Sequence, residues 1–197
     1  MNKTAIIKYP AGNIQSVLHA LDRLGTKAVW TDDPEEIRSA SRVIFPGVGE
    51  ASTAMSFLRN SGLDEVILSL QQPVLGICLG LQLFCKHSAE NNTECLGIFD
   101  VQVQKFEANG QQKVPHMGWN TLESAQGSLF QGIAPEAYVY FVHSYYAVQS
   151  EYTCATTPYT LPFSSALQRD NFFAVQFHPE KSGKIGQQIL HNFLTIN

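Results

Sequence analysis

The sequence contains no run of about eighteen apolar residues, the length a helix needs to cross a bilayer, so no membrane-spanning segment is expected. Its opening, Met1-Asn2-Lys3-Thr4 followed by Ala5-Ile6-Ile7, lacks the long apolar core of a signal peptide. Basic residues are few. Lys and Arg number 13 against 17 Asp and Glu, a net charge of −4, whereas a nucleic-acid binder carries a basic patch or stripe. Cysteine is sparse: Cys78, Cys85, Cys95 and Cys154 are the only four, and a reducing cytoplasm would keep them as free thiols. Cys85, His87 and Cys95 lie near one another, but no paired C-x₂₋₄-C unit is present, which argues against a metal site. No internal repeat, low-complexity tract or linker is visible. These absences lead to the expectation of a cytoplasmic protein with no metal, no other cofactor, no nucleic-acid partner and no membrane contact.

What is present is the composition of a packed globule. The 197 residues are 44% hydrophobic and 15% charged, enough for one domain over residues 1–197 with a sizeable core. Through the first half, short apolar strands alternate with helical patterns. Strands are expected over Thr4–Lys8, Lys27–Trp30, Arg42–Phe45 and Val74–Ile77. Between them, Ile14, Val17, Leu18, Leu21 and Leu24 recur at helical spacing, with Asn13 as a capping residue and Gly25 as a stop. Asp33-Pro34-Glu35-Glu36 opens a short helix with a cap, a proline at the first position and acids in the first turn. Further helices are expected over Ala51–Leu58 and Leu79–His87. Strand-helix repetition implies a parallel sheet covered on both faces.

The second half reads differently. Thr93–Gly127 is polar and strand-forming, suggesting hairpins and loops. Strands are expected over Val139–Val142, Tyr145–Val148, Ser165–Gln168 and Phe172–Phe177. An amphipathic helix follows over Lys184–Leu194. The predicted fold is therefore α/β: three αβα layers around a mostly parallel sheet, with antiparallel strands added in the second half.

Gly76-Ile77-Cys78-Leu79-Gly80 carries the most chemical information. It has the G-x-nucleophile-x-G layout of a sharp turn between a strand and a helix, where the flanking glycines permit close approach. A helix N-terminus favours negative charge, and the thiolate is the form of Cys78 that attacks a carboxamide carbon. Taken alone, the segment also fits a buried cysteine in a glycine-rich turn.

A nucleophilic cysteine needs a base within hydrogen-bond reach. His178, in Phe177-His178-Pro179-Glu180, lies at the C-terminal end of an expected strand, the edge where open α/β sheets gather their sites. Pro179 biases His178 towards extended backbone, so Glu180 can fall on the same side and fix the imidazole tautomer. His143, at another strand end, competes for the role. His19, His87 and His191 are expected on helices, and His116 in a loop. An oxyanion requires donors aimed at it. Leu79 N–H is one candidate, and the loop Pro46-Gly47-Val48-Gly49 offers another. That loop lacks the lysine-serine ending of a phosphate-binding loop.

Pro46-Gly47-Val48-Gly49, Gly76-Ile77-Cys78-Leu79-Gly80-Leu81-Gln82 and Phe177-His178-Pro179-Glu180 together resemble the class I (triad) glutamine amidotransferases, in order and separation, over essentially the whole chain. The resemblance implies Cys78 as nucleophile, His178 as base and acid, and Glu180 as orienter. It implies Gly47, the Val48 peptide and Leu79 as oxyanion donors. Gln82, with the Ser144 and Tyr145 backbone, would hold the amino-acid end of glutamine, and Gly49 and His143 are placed in the same pocket.

Tyr9 to Val17, Pro115-His116-Met117-Gly118-Trp119-Asn120, Tyr140 to Tyr146 and His178 to Gly183 resemble the glutaminase subunits of imidazole glycerol phosphate synthases. That resemblance implies a (β/α)₈-barrel cyclase as heterodimer partner, contacted through Asn13, His116, Tyr138 and Lys181. It also implies weak glutaminase activity in isolation. Lys8-Tyr9-Pro10 departs from the pattern, in which an acidic or small residue stands near Lys8 and a glycine near Pro10. On the residues alone, a peptidase-like cysteine hydrolase and a silent binding subunit remain as other readings.

Overall fold

The computed structural model describes residues 3–10, 14–110 and 112–196. The expected alternation is present in the first half. Strand β1 (Thr4–Ile7) leads to helix α1 (Ile14–Arg23), β2 (Ala28–Thr31), α2 (Pro34–Ser39) and β3 (Arg42–Gly47). Next come α3 (Ala51–Ser61), α4 (Leu63–Leu68), β4 (Val74–Cys78) and α5 (Leu79–Phe84). Local chemistry sets the helix ends. The Asp33 carboxylate accepts from Glu35 N–H, with Pro34 in the first turn of α2. Glu50 accepts from Ser52 and Thr53 N–H at the start of α3, and Gly62 at φ 69° stops that helix in the left-handed conformation. The capping role expected of Asn13 lies outside the described residues.

After α5 come β5 (Cys85–Ser88), β6 (Thr93–Glu94), β7 (Phe99–Lys105) and β8 (His116–Thr121). Then follow β9 (Tyr138–His143), β10 (Tyr145–Ala147), β11 (Thr153–Pro158), β12 (Pro162–Arg169), β13 (Phe172–Val175) and α6 (Gly183–Thr195). The main sheet runs β2-β1-β3-β4-β13-β12-β10-β7-β5-β6, with β11 on β12, while β8 and β9 form a separate hairpin sheet. From β2 to β13 every pairing is parallel. β12 then turns the sheet antiparallel.

Both faces of the inner parallel strands β1, β3, β4 and β13 are largely buried, so they read as apolar runs, while the edge strand β2 leaves Trp30 exposed. Alternate side chains enter different clusters. Ala5, Ile7, Val43, Phe45 and Val74 pack with α2 to α5. Ile6, Ile44, Leu75 and Ile77 pack with α1, α6 and the inner face of β8–β9.

Several expectations are corrected. The helix predicted over Leu79–His87 ends at Phe84, and Cys85–Ser88 is a strand pairing parallel with β7. His87 is therefore on a strand, not a helix. His116 is on β8 and buried, not in a loop. The Phe172–Phe177 strand ends at Val175. Two elements, α4 and β11, were not foreseen. Among the described residues no helix is long and apolar enough to cross a membrane.

Candidate active site

Cys78 is the last residue of β4 and the cap of α5, with φ 54° and ψ −104°. A non-glycine residue there stores about 1–3 kcal/mol of backbone strain. Its glycine neighbours are required by space. A Cβ on Gly76 would sit 2.7 Å from the Phe84 ring, and one on Gly80 would overlap the Phe45 carbonyl oxygen. The elbow is thus wedged against β3 by its own helix, and Gly47 is opposite Cys78 in the β3–β4 register.

His178 follows β13 and is held on both sides. Its N–H donates to Tyr140 O at 2.9 Å, and its carbonyl accepts from Ser182 Oγ at 2.6 Å. Ser182 Oγ in turn accepts from Tyr140 N–H at 3.0 Å. The imidazole Nδ1 lies 2.8 Å from Glu180 Oε1, and both side chains are buried. Glu180 reaches it by a route other than the one expected. The backbone does not stay extended but coils into a 3₁₀ turn at Pro179–Lys181. A carboxylate accepts only, so Nδ1 donates to it and Nε2 is the nitrogen left for another partner. Nε2 is buried without a partner at hydrogen-bond geometry. Burial pulls the His178 pKa down, but the nearby Cys78 sulfur and the hydrogen-bonded Glu180 carboxylate outweigh it and raise the value to about 10. Cys78 is therefore within electrostatic reach of the His178 ring.

A cavity of about 370 Å³ opens in front of Cys78, lined also by Val48, Gly49, Leu79, Gln82, His143, Ser144 and Tyr145. Every one of these was singled out in the sequence. Gly47 lies behind them, close against the buried Tyr9 hydroxyl. Three further lining residues were missed: Glu90, Pro115 and Val142. Among the described residues Glu90 is the only carboxylate in the lining. Its Oε2 accepts from Ala51 N–H at 2.8 Å, and burial raises its pKa despite that bond. Nothing in the polar run Ser88–Asn92 marked Glu90 out.

His143 and His116 form a buried relay behind the cavity. Tyr145 O can only accept, so His143 Nδ1, 2.7 Å away, carries a proton. His143 Nε2 then accepts from His116 Nδ1 at 3.0 Å. His116 Nε2 accepts from Asn120 Nδ2 at 3.3 Å. Burial lowers His116 to about 4 and His143 to about 3, so both rings are neutral at pH 7. His143 is thereby occupied as a structural donor, which removes it as a rival base.

The residues expected to meet a partner divide. Tyr138 is 59% exposed, and with Met117 and Trp119 it forms an apolar outer face on β8–β9. Lys181 is exposed, with Nζ 6.0 Å from the Tyr140 ring centroid. His116 is 3% exposed and stacked on Tyr159, so its side chain is not on this surface. Asn13 is outside the described residues.

Comparison with known proteins adds an independent line. Residues 5–196 match the family model of class-I glutamine amidotransferases. The chain is 56% identical, over 98% of its length and 100% of the relative's, to the imidazole glycerol phosphate synthase subunit HisH of Bacteroides fragilis. It is 46% identical, over 98% of each chain, to the HisH subunit of Pasteurella multocida. Among solved structures, a candidate GMP synthase chain from Thermoplasma acidophilum superposes with a TM-score of 0.77 at 19% identity, covering 98% of this chain and 93% of that one. At that identity the likeness speaks to the fold.

Proposed function

The chain belongs to the class-I glutamine amidotransferases, and from that premise we infer that it is the glutaminase subunit of an imidazole glycerol phosphate synthase, acting in histidine biosynthesis. As such it is an enzyme that hydrolyses glutamine to glutamate and ammonia. The observation that carries the chemistry is the strained Cys78 elbow at the mouth of a cavity, together with a Glu180-anchored His178 whose raised pKa registers Cys78.

In the mechanism we assign, Cys78 Sγ bonds to the carboxamide carbon of glutamine while His178 Nε2 holds the thiol proton. The oxyanion is met by backbone N–H groups of the Gly47–Val48 segment and of Leu79, whose N–H at the start of α5 has no helical acceptor. His178 gives its proton to the departing nitrogen, the C–N bond breaks, and a glutamyl thioester and ammonia result. Water, deprotonated by His178, then releases glutamate and restores the thiol. Gln82 and the Ser144–Tyr145 backbone orient the amino-acid end, and the Glu90 carboxylate suits its ammonium group.

Ammonia is mostly protonated near neutral pH and would be lost to solvent, so a second subunit has to receive it. We assign that role to a (β/α)₈-barrel cyclase in a heterodimer, which adds the nitrogen to its own nucleotide substrate. The exposed Met117, Trp119 and Tyr138 face beside Lys181 supplies an apolar surface for it. We read residues 1–197 as one domain, since both core clusters share one sheet, and place the reaction in the cytoplasm, where the four free cysteines would stay reduced.

The test is glutamine hydrolysis by the chain with and without the cyclase and its nucleotide, for wild type and Cys78→Ala. Cys78-dependent hydrolysis that rises with the cyclase supports the reading. Hydrolysis indifferent to the cyclase sinks the partner, and hydrolysis that survives Cys78→Ala sinks the nucleophile.

A further inference from the structure

Gln176 lies between β13 and His178 with no solvent exposure. A buried primary amide has two N–H donors and an acceptor oxygen, each of which needs a partner. Gln176 Oε1 accepts from Gln82 Nε2 at 3.1 Å, and Gln176 Nε2 lies 3.6 Å from Cys78 Sγ, within hydrogen-bond range for sulfur.

One fixed point orients both amides. Tyr145 O can only accept, and it meets the Gln82 amide nitrogen at 3.0 Å. If Gln82 were turned over, two oxygens would face each other. With the Gln82 nitrogen fixed there, its second N–H requires an oxygen, and Gln176 provides one. That leaves the Gln176 nitrogen against the sulfur. Both N–H groups of Gln82 are then committed, and its oxygen is the atom left for the cavity.

We propose that Gln176 is a positioning residue that donates a hydrogen bond to the Cys78 sulfur and locks the Gln82 amide with its oxygen toward the bound substrate. The proposal rests on Cys78 being the nucleophile. A neutral thiol accepts an N–H weakly and a thiolate strongly, so the donor favours the attacking form and aims it. The same amide ties that aim to the residue that orients glutamine. A substrate whose amino-acid end is misplaced would disturb Gln82, and through Gln176 the sulfur.

Several titratable groups also face Cys78. His178 approaches from the turn after β13, backed by Glu180. The buried Tyr9, ahead of α1, feels the Cys78 charge. His143 and Glu90 line the same cavity. All are kept in the test, so a change in the sulfur's titration reports on the amide.

The experiment uses the full chain with its cyclase. Iodoacetamide alkylation of Cys78 is followed across pH by peptide mass spectrometry, beside steady-state glutaminase assays. Gln176→Met keeps the length of the side chain without a donor, and Gln176→Leu is a second apolar replacement should the first pack poorly. In the folded variants the alkylation midpoint should rise by about one pH unit, equivalent to about tenfold in the thiolate equilibrium. KM for glutamine should rise severalfold, and kcat/KM at pH 7 should fall about tenfold and partly recover at higher pH. A residue that merely filled the core would lower the unfolding midpoint and leave the alkylation midpoint and KM at their wild-type values. That result in either folded variant overturns the proposal. If alkylating Cys78 in the wild type leaves glutaminase activity intact, the nucleophile assignment itself fails.

Discussion

The His116–His143 relay makes the protein acid-sensitive in a defined window. Both rings are neutral in the fold, at about 4 and about 3, while an unfolded histidine titrates near 6.5. Between these values the unfolded chain binds more protons, so stability falls as pH falls. The contribution is fully present above about pH 6.5 and is lost progressively towards pH 4. From pH 7 to pH 5 each ring accounts for about 2 kcal/mol, a large part of a total stability of about 5–15 kcal/mol. His178 has the opposite sign. Its value of about 10 places its contribution below pH 6.5 and removes it as pH rises through 10, outside the acid window.

The perturbation is the double variant His116→Phe/His143→Phe, which removes both members of the relay. Tyr145 O keeps Gln82 as a donor, and Asn120 keeps Pro158 O at 2.8 Å. Replacing both partners with apolar rings among Phe106, Phe141 and Phe163 leaves few groups unpaired. Urea unfolding followed by circular dichroism at pH 7, 6 and 5 reads the result. Wild type should lose several kcal/mol more than the double variant over this range, since carboxylate effects are common to both. Parallel stability curves would refute the reasoning.

Gly80→Ala should part β3 from α5, because its Cβ overlaps the Phe45 carbonyl. A shift of about 1 Å at the nucleophile costs on the order of 100-fold in rate, read as kcat beside an unfolding curve. Glu180→Gln removes the charge that anchors His178. It should lower kcat by about 10³–10⁴-fold with little change in KM, and a loss below tenfold would contradict the orienting role. Glu90→Gln should raise KM for glutamine about tenfold at nearly constant kcat, the size of a charged hydrogen bond. Trp119→Ala, on an exposed side chain, should leave stability within about 0.5 kcal/mol yet weaken cyclase binding by about 2 kcal/mol in a titration.

The proposed triad of Cys78, His178 and Glu180 was legible because its cues are local. Glycines bracket Cys78, and a proline and a carboxylate follow His178. The inner parallel strands were legible because burial on both faces makes them apolar runs. What stayed hidden depends on distant chain. Leu79–His87 continues a helical apolar pattern, and only pairing with β7 turns Cys85–Ser88 into a strand. The six-residue α4 is too short to display a period. Thr153–Pro158 is polar in sequence yet becomes β11 through its ladder with β12. Gln176 and Glu90 had no signal of their own, since an amide or carboxylate gains its meaning from the sulfur or cavity brought to it.

The position of β13 has a consequence for biosynthesis. It lies between β4 and β12 near the middle of the sheet, yet Cys78 and Gln176 are 98 positions apart in the chain. A ribosome makes the elbow early and its neighbours late. Until Phe172–Val175 emerge, one edge of β4 exposes unpaired backbone groups, a template for pairing with other chains. On the proposed mechanism, the nascent cysteine also has no base beside it during the same interval. The order of translation thus withholds glutamine hydrolysis from every unfinished copy. It also makes the interval before the last strand docks the stage at which a chaperone has most to protect.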